Sequence, residues 1–323
     1  MKLTQLKALR AIVKHDFSIS EAAGQLALTQ PAISKQIQLL EADLNLSLFI
    51  RHGKRLTGLT DSGAEVYRQS VDILNRVDDM YQFSHQAQGQ TGSLSIATTH
   101  TQARYVLPAV VNRFKSVYPT VKLELHQGSP KEVARQALTG EVDLAIATEA
   151  VGEERGLVAL PCYQWNRCVV TPKHHKLTET GPLTLENLAK EPIITYVLGY
   201  TGRHRIDEAF ARAGLSSNIV LTAVDSDVIK TYVRFGLGVG VIANMAYNSE
   251  EDADLIAMDA RELFGTSYSH IALRKDKYLR PFIFKFIEML APHLTEDRVM
   301  KVLSGQDSNI HNDLLANRLL PVY

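Results

Sequence analysis

The sequence predicts an α/β protein in three parts: a small all-α head ending in a basic turn, a long linker helix, and a two-lobed domain of sheets covered by helices. Three observations predict it. Apolar residues recur at helical spacing from Leu3 to Leu40, no proline interrupts the stretch from Thr60 to about Gln88, and after Gly92 short β-rich runs alternate with helical ones. At 323 residues the chain exceeds one comfortable core, so several domains are expected.

In the head, Leu3, Leu6, Leu9, Ile12 and Val13 mark one helix, and Ser20 opens a second through Glu21, Ala22, Ala23 and Leu26. Thr29-Gln30-Pro31 opens a third. Thr29 caps its exposed backbone donors, Pro31 costs little in a first turn, and Ile33, Ile37 and Leu40 form the inward stripe. The stretches Leu48 to Arg51 and Leu56 to Thr60 flank Gly53, Lys54 and Arg55, which reads as a small basic hairpin or wing.

In the linker, Val66, Ile73 and Met80 repeat every seven residues beside Val77, with a second stripe of Tyr67, Leu74 and Tyr81. This spacing suits a dimerising helix; the alternative is a helix packed on its own domain. Gln86 to Gly92 reads as a hinge. Strands follow at "LSIATT", "VKLELHQG" and "VDLAIAT", with helices to Tyr118 and to Leu138 between them. A second series holds "CVVTP", "PIITYV", a helix near Arg203 to Ala213, "NIVLTAV", a helix near Asp227 to Phe235, and "GVGVIA". "SHIALRK" is a further strand and Pro281 to Leu290 a helix. Repeated βα units imply largely parallel sheets with helices on their faces, in two lobes with a crevice between them. Residues 296–323 are mixed and polar, with room for a helix or two.

Formal charge is zero overall, yet residues 1–60 hold eight Lys or Arg against four Asp or Glu, which suggests a polyanion partner for the front end. Cys162 and Cys168 match no zinc or redox spacing and no leader precedes them, so a reduced cytoplasm is expected, with no metal and no cofactor. No apolar run approaches the roughly 20 residues that cross a bilayer. Enzyme signatures are missing as well: no Gly-x-Ser-x-Gly elbow, Walker loop or His-Glu-x-x-His occurs, "GLGVG" at Gly236 follows a helix, and His174-His175 lacks a third ligand. No catalytic residue is assigned. A two-lobed transport binding protein would need an export signal and would not begin with a helix-turn-helix.

An α-helix fits the major groove when a partner helix braces it and its open face offers donors and acceptors. Gln30, Ser34, Lys35 and Gln38 supply that face, the Thr29 end presents backbone amides to a phosphate, and Lys54 and Arg55 clamp the flanking backbone. The plainer reading is a solvated helix face and a charged turn.

In doubly wound sheets, ligands sit at the carboxyl ends of strands. Thr98, Thr99, Thr101 and Gln102 crowd one such strand-to-helix turn, Thr148 ends the strand "VDLAIAT", and Thr201 lies in the loop "LGYTGR" of the second lobe. Such hydroxyls supply neutral donors to a compact anion without a bidentate cation. Sulfate suits donors alone better than phosphate, which carries a proton near neutral pH and wants an acceptor. On residue types alone, helix capping by these threonines is the stronger reading. Trp165 offers an indole N–H at the lobe junction or is simply core, and Asp225, Asp227 and Lys230 either cap a helix or line the crevice.

"AAGQLALTQPAISKQIQLLEADLNLSLFIRHGKRLTGLTDSG" resembles the winged helix-turn-helix signature of LysR-type transcriptional regulators. "SLSIATTHTQARYVLP", "LHQGSP", "LPCYQWNR" and "DSDVIKTYVRFGLGVGVIA" are similar to the CysB-type branch, regulators of cysteine biosynthesis and sulfur assimilation; the resemblance runs from Met1 to about Thr295. It implies a DNA-binding domain over 1–60 in which Thr29, Gln30, Pro31, Ser34, Lys35, Gln38, Lys54 and Arg55 meet DNA, and a linker over 61–91. It implies a periplasmic-binding-protein-like effector domain, with lobe I over 92–163 and 266–295 and lobe II over 164–265, followed by a tail over 296–323. It further implies sulfate or thiosulfate binding and a response to N-acetylserine or O-acetylserine at Thr99, Thr101, Gln102, Thr148, Trp165 and Thr201. N-acylation removes the ammonium, whereas free O-acetylserine requires a carboxylate partner, for which Glu149 is the candidate. Promoter DNA, RNA polymerase and further copies of the chain, as a dimer of dimers, are the implied partners. A sister regulator of alkanesulfonate or taurine use is the alternative within the family.

Overall fold

The computed structural model describes residues 1–53, 55–86, 92–148, 151–152, 154–179, 181–200, 202–275, 277–306 and 320–323, and for Asp79 and residues 82–86 the backbone alone. They group into two compact units, Met1–Gln88 and Gly89–Tyr323.

The first unit runs α1 Leu3–Lys14, α2 Ile19–Gln25, α3 Gln30–Leu44, β1 Phe49–His52, β2 Arg55–Leu59 and α4 Asp61–Gln86. Ile33, Ile37 and Leu40 of α3 share one core with Leu6, Leu9 and Ile12 of α1. The second helix starts before the expected Ser20, because Ser18 is the cap and accepts the Glu21 amide at 3.4 Å. Ser20 instead accepts Gln30 Nε2 at 3.2 Å. The strands β1 and β2 pair as an antiparallel wing with Phe49 opposite Leu59, and Gly53 turns its tip at φ 62°. Gly63 permits the close start of α4: a Cβ there would lie 1.9 Å from Leu48 O. Along α4, Tyr67, Leu74 and Val66 pack on the head's core. Ile73 and Met80 are exposed and Val77 half-buried, which leaves part of the heptad stripe uncovered on a single chain. Most of the expected hinge, residues 87–91, lies outside the described residues.

The second unit begins β3 Ser93–Thr98, α5 His100–Tyr105, α6 Leu107–Val117, β4 Lys122–Gln127, α7 Pro130–Leu138, β5 Leu144–Ala147 and β6 Leu157–Trp165. It continues β7 Arg167–Pro172, α8 Leu185–Leu188, β8 Ile193–Tyr196, α9 Arg203–Arg212, β9 Ile219–Ala223, α10 Ser226–Arg234, β10 Val239–Ala243 and β11 Leu255–Asp259. It closes with α11 Arg261–Phe264, β12 Ser267–Arg274, α12 Pro281–Leu290 and α13 Glu296–Leu303. The single helix expected to reach Tyr118 is two helices that part at Val106, because Pro108 suits a new first turn and cannot donate within an old one.

These strands make two sheets, ordered β4-β3-β5-β12-β6 and β11-β7-β10-β8-β9. In the first, β3 runs parallel to β4 and β5, while β12 runs antiparallel to both β5 and β6. The ends Thr98, Ala147 and Trp165 therefore lie at one edge of the sheet together with the start of β12. In the second, β8 is parallel to β9 and β10, and β7 is antiparallel to β10, so Arg167 stands beside Ala243 at the strands' carboxyl end. The chain crosses between sheets twice, from β6 to β7 through Asn166 and from β11 to β12 through residues 260–266. Asn166 ties the crossings: its carbonyl accepts the Asn244 amide at 2.8 Å and its Oδ1 accepts the Thr266 hydroxyl at 3.1 Å. Among the described residues no helix is long and apolar enough to cross a membrane.

Candidate effector crevice and DNA-reading face

On the head, Thr29 has extended backbone (φ −84°, ψ 154°) and its Oγ1 accepts the Ala32 amide at 3.4 Å, so it is the cap of α3. Gln30, Lys35 and Gln38 are exposed, Ser34 is half-buried, and Pro31 sits in the first turn. Neighbouring charges are matched: Arg51 pairs with Glu41 at 3.1 Å and Arg10 with Asp78 at 3.7 Å. Lys35 and Arg55 form no ion pair among the described residues, which leaves their charge to attract a polyanion. Lys54 lies outside the described residues.

In the larger unit, Thr98 is committed locally, donating to Ile146 O at 3.0 Å. Thr99 is the cap residue of α5, yet its hydroxyl makes no capping bond and donates instead to Gln102 Oε1. Gln102 Nε2 then donates to Ser269 Oγ at 3.3 Å, and Ser269 shares a second hydrogen bond with Thr148 Oγ1, also at 3.3 Å. Thr101 is buried in the same turn. Four of the six expected effector residues thus lie in two turns at the carboxyl end of one sheet, with Ser269 joining the turns, and a fifth, Trp165, ends β6 at the same end. Spacing along the chain does not single out Ser269, because only the β12 register sets it opposite Tyr163. The alternation Ser267, Ser269 in "SYSHIALR" was the signal that could have found it.

Trp165 is a core residue that carries an unmatched N–H. Its side chain is buried in the lobe I cluster, and its Nε1 is buried with no hydrogen-bond partner among the described residues. The Tyr163 hydroxyl and His100 Nδ1 are in the same condition. Each is a polar atom whose desolvation a bound group could offset.

A cation lies next to this cluster. Arg167 is wholly buried, donating from Nη1 to Ser267 Oγ and from Nη2 to Gly202 O, both at 3.0 Å, with its guanidinium carbon 4.7 Å from the centre of the Trp165 ring. Ser267 lies two strand positions from Ser269 on the same face, a separation of about 7 Å. Gly202 has φ 66°, and a Cβ there would meet Arg167 Nη2 at 1.8 Å, so only glycine fits. Thr201, its neighbour, lies outside the described residues, as does Glu149. Residue types alone could not reveal a cation whose partners stand 35 and 100 positions away.

The two lobes also meet at α5. Tyr105 OH donates to Asp227 Oδ1 at 2.8 Å and Arg104 pairs with Asp227 Oδ2 at 2.5 Å. Asp227 is therefore an interlobe acceptor and Asp225 the cap of α10, accepting the Val228 amide at 2.9 Å. Burial pushes the Tyr105 phenol up, and the adjacent carboxylate adds to the shift. Lys230 is buried and spent on Asp252 and Ala246 O, each at 2.9 Å. Burial raises the Asp252 carboxyl, but Lys230, the Asn248 amide and Arg234 outweigh it and hold the group low.

Comparison with known proteins decides the family. Residues 3–64 match the model of the bacterial regulatory helix-turn-helix protein, lysR family, and residues 87–295 match the LysR substrate binding domain. The chain belongs to the LysR family. Among LysR-family regulators, the transcriptional regulator SsuR of Burkholderia cenocepacia is 45% identical over 94% of this chain and 99% of its own. CysB of Haemophilus influenzae is 44% identical over 96% of each. The solved cofactor-binding domain of the Cbl transcriptional regulator aligns at 45% identity with a TM-score of 0.64, covering 66% of this chain and 93% of that one.

Proposed function

We propose that this LysR-family chain is a DNA-binding transcriptional regulator of cysteine-biosynthesis and sulfate-assimilation genes, controlled by a small anion held between its two lobes. One observation carries the reading: Gln102, bonded by Thr99 and with Thr101 buried in the same turn, is tied through Ser269 to Thr148, while Ser267 of the same strand accepts from the buried Arg167 guanidinium beside the unmatched Trp165 N–H. Hydroxyl and indole donors beside one fixed cation suit sulfate, thiosulfate or the carboxylate of N-acetylserine. Free O-acetylserine carries an ammonium, for which the cluster offers no carboxylate among the described residues, and Glu149 is the candidate that lies outside them; Thr201 completes the set that the resemblance implies.

The division proposed is residues 1–60 for DNA, 61–91 for the linker, 92–165 with 266–295 for lobe I, 166–265 for lobe II, and 296–323 for the tail, the first lobe boundary moving from the expected 163 to 165 because β6 runs to Trp165. Thr29, Gln30, Pro31, Ser34, Lys35, Gln38, Lys54 and Arg55 form the DNA face. The exposed stripe of α4 pairs two heads. Leu198, Val224, Val228, Tyr232 and Phe235 are all exposed around α10, and they support a second contact that completes a dimer of dimers. Such a protein works without catalysis of its own, on promoter DNA in the cytoplasm, beside RNA polymerase.

The SsuR-named and CysB-named relatives match almost equally, so a sister regulator of alkanesulfonate or taurine use is the second reading. Mapping bound promoters across the genome tests both. Cysteine and sulfate-assimilation promoters are expected; a set confined to sulfonate genes favours the sister, and a set without sulfur genes rejects both.

A further inference from the structure

The edge strand β6 carries a short fourth-party strand at its crevice end. Val322 forms a parallel bridge with Gln164: the Gln164 amide donates to Pro321 O at 2.8 Å and the Tyr323 amide donates to Gln164 O at 3.0 Å. Gln164 Nε2 adds a bond to Leu320 O at 3.2 Å, and Leu320 is buried in the lobe I core. These four residues satisfy backbone groups that an edge strand would otherwise leave open.

Their placement matters more than their number. The Tyr323 ring lies 4.7 Å from the Tyr163 ring, centre to centre, at 57°. Tyr163 is wholly buried and stands opposite Ser269, the hydroxyl that ties Gln102 to Thr148. Burial pushes the Tyr163 phenol up, and Ser269 and Gln102 are near enough to oppose that shift. Tyr323 therefore bears on the effector cluster through one intervening side chain.

We infer that residues 320–323 are a strap whose Tyr323 positions the effector site, by holding the end of β6 and the Tyr163 ring against Ser269. The inference rests on the reading of the crevice as an anion site. A strand end held by both backbone bonds and an aromatic contact keeps its neighbours in register, and donors held in register lose less freedom when the ligand arrives. Tyr163 and Tyr323 are then positioning residues for the hydroxyls.

The test uses the full chain with sodium sulfate as the probe, comparing wild type with Tyr323→Ala and Tyr323→Phe by calorimetric titration, together with hydrogen exchange at the Gln164 amide. Tyr323→Ala is expected to weaken sulfate binding about tenfold and to speed Gln164 exchange, the scale of one lost aromatic pair. Tyr323→Phe keeps the ring and is expected to stay within about twofold of wild type on both readouts, a rescue that general destabilisation would not produce. If Tyr323→Ala binds sulfate as wild type does, the strap is overturned while the anion site stands. If wild type itself takes up no sulfate, the site reading falls and the strap falls with it.

Discussion

The proposed DNA-reading face and the proposed effector crevice use the same kinds of polar side chain in opposite surroundings. Gln30, Lys35, Gln38 and Arg55 stand in water. Thr99, Thr101, Gln102 and Ser269 are buried, and three of them bond one another. Exposed groups keep their rotamer freedom and their hydration, so they give a long-range, salt-sensitive attraction that is converted to specificity only on contact with base edges. Buried groups have already lost that freedom and act in a low dielectric, where each unmatched atom is expensive. On the proposed reading, the head finds many sites weakly and a few well, and the crevice admits one kind of charge.

The contrast is sharpest at Arg167. Replacing it with Met leaves Gly202 O and Ser267 without their donor, and sulfate affinity is expected to fall about 100-fold, as befits lost hydrogen bonds to a charged group. Calorimetry on a variant whose circular dichroism matches wild type reads this directly; retained affinity would make Arg167 a purely structural cation. Next in size, Gln30→Ala is expected to cost about 1–3 kcal/mol at cognate promoters and little elsewhere. Arg55→Ala instead should weaken all DNA alike and lower the salt slope by about one. Equal losses on specific and random DNA in both variants would erase the distinction between reading and clamping residues. Thr101→Val removes one neutral donor from the buried set, an expected loss of about 5–10-fold in sulfate affinity. Effector-free DNA binding of that variant should stay within about threefold, since no phosphate contact changes. A footprint unaltered in its response to sulfate would return Thr101 to the packing of α5.

The smallest effect is expected from pH. His293 Nε2 lies 2.9 Å from Pro161 O, and burial depresses the imidazole below its ordinary 6.5. Above that value both folded and unfolded chains hold it neutral; as pH falls through it, the unfolded chain takes the proton first and stability drops. The thermal midpoint of the effector domain is therefore expected to decline between pH 7 and 5, and His293→Gln to flatten the decline. A midpoint rising toward acid would contradict the burial argument.

What could be read in the sequence follows the same division. Periodicity located α3, the wing and α12, whose Pro281 and Leu290 ends were both anticipated, because caps, prolines and apolar spacing are local signals. It missed β6, where Pro161 and Gln164 break any simple alternation, and β11, which is short and half-buried at a sheet edge. The threonine turn was legible as a cluster of donors. Which hydroxyl bonds Ile146 and which bonds Gln102 was not, because Thr98 and Thr99 differ only in the direction each strand-end side chain takes. Ser269 and Arg167 were missed for a topological reason: their partners come from across a sheet and from the other lobe, and no spacing along the chain encodes that.

The paired crossings at Asn166 and residues 260–266 bear on what kind of signal the crevice can send. A single tether would let one lobe swing and twist in several directions, and three would lock it. Two adjacent tethers joined through Asn166 and Thr266 work like the leaves of a door hinge, leaving one soft rotation about the line between them. A ligand that favoured one setting of that rotation would be reported as an angle in a single coordinate, and a subunit docked on either lobe would receive a direction as well as a displacement.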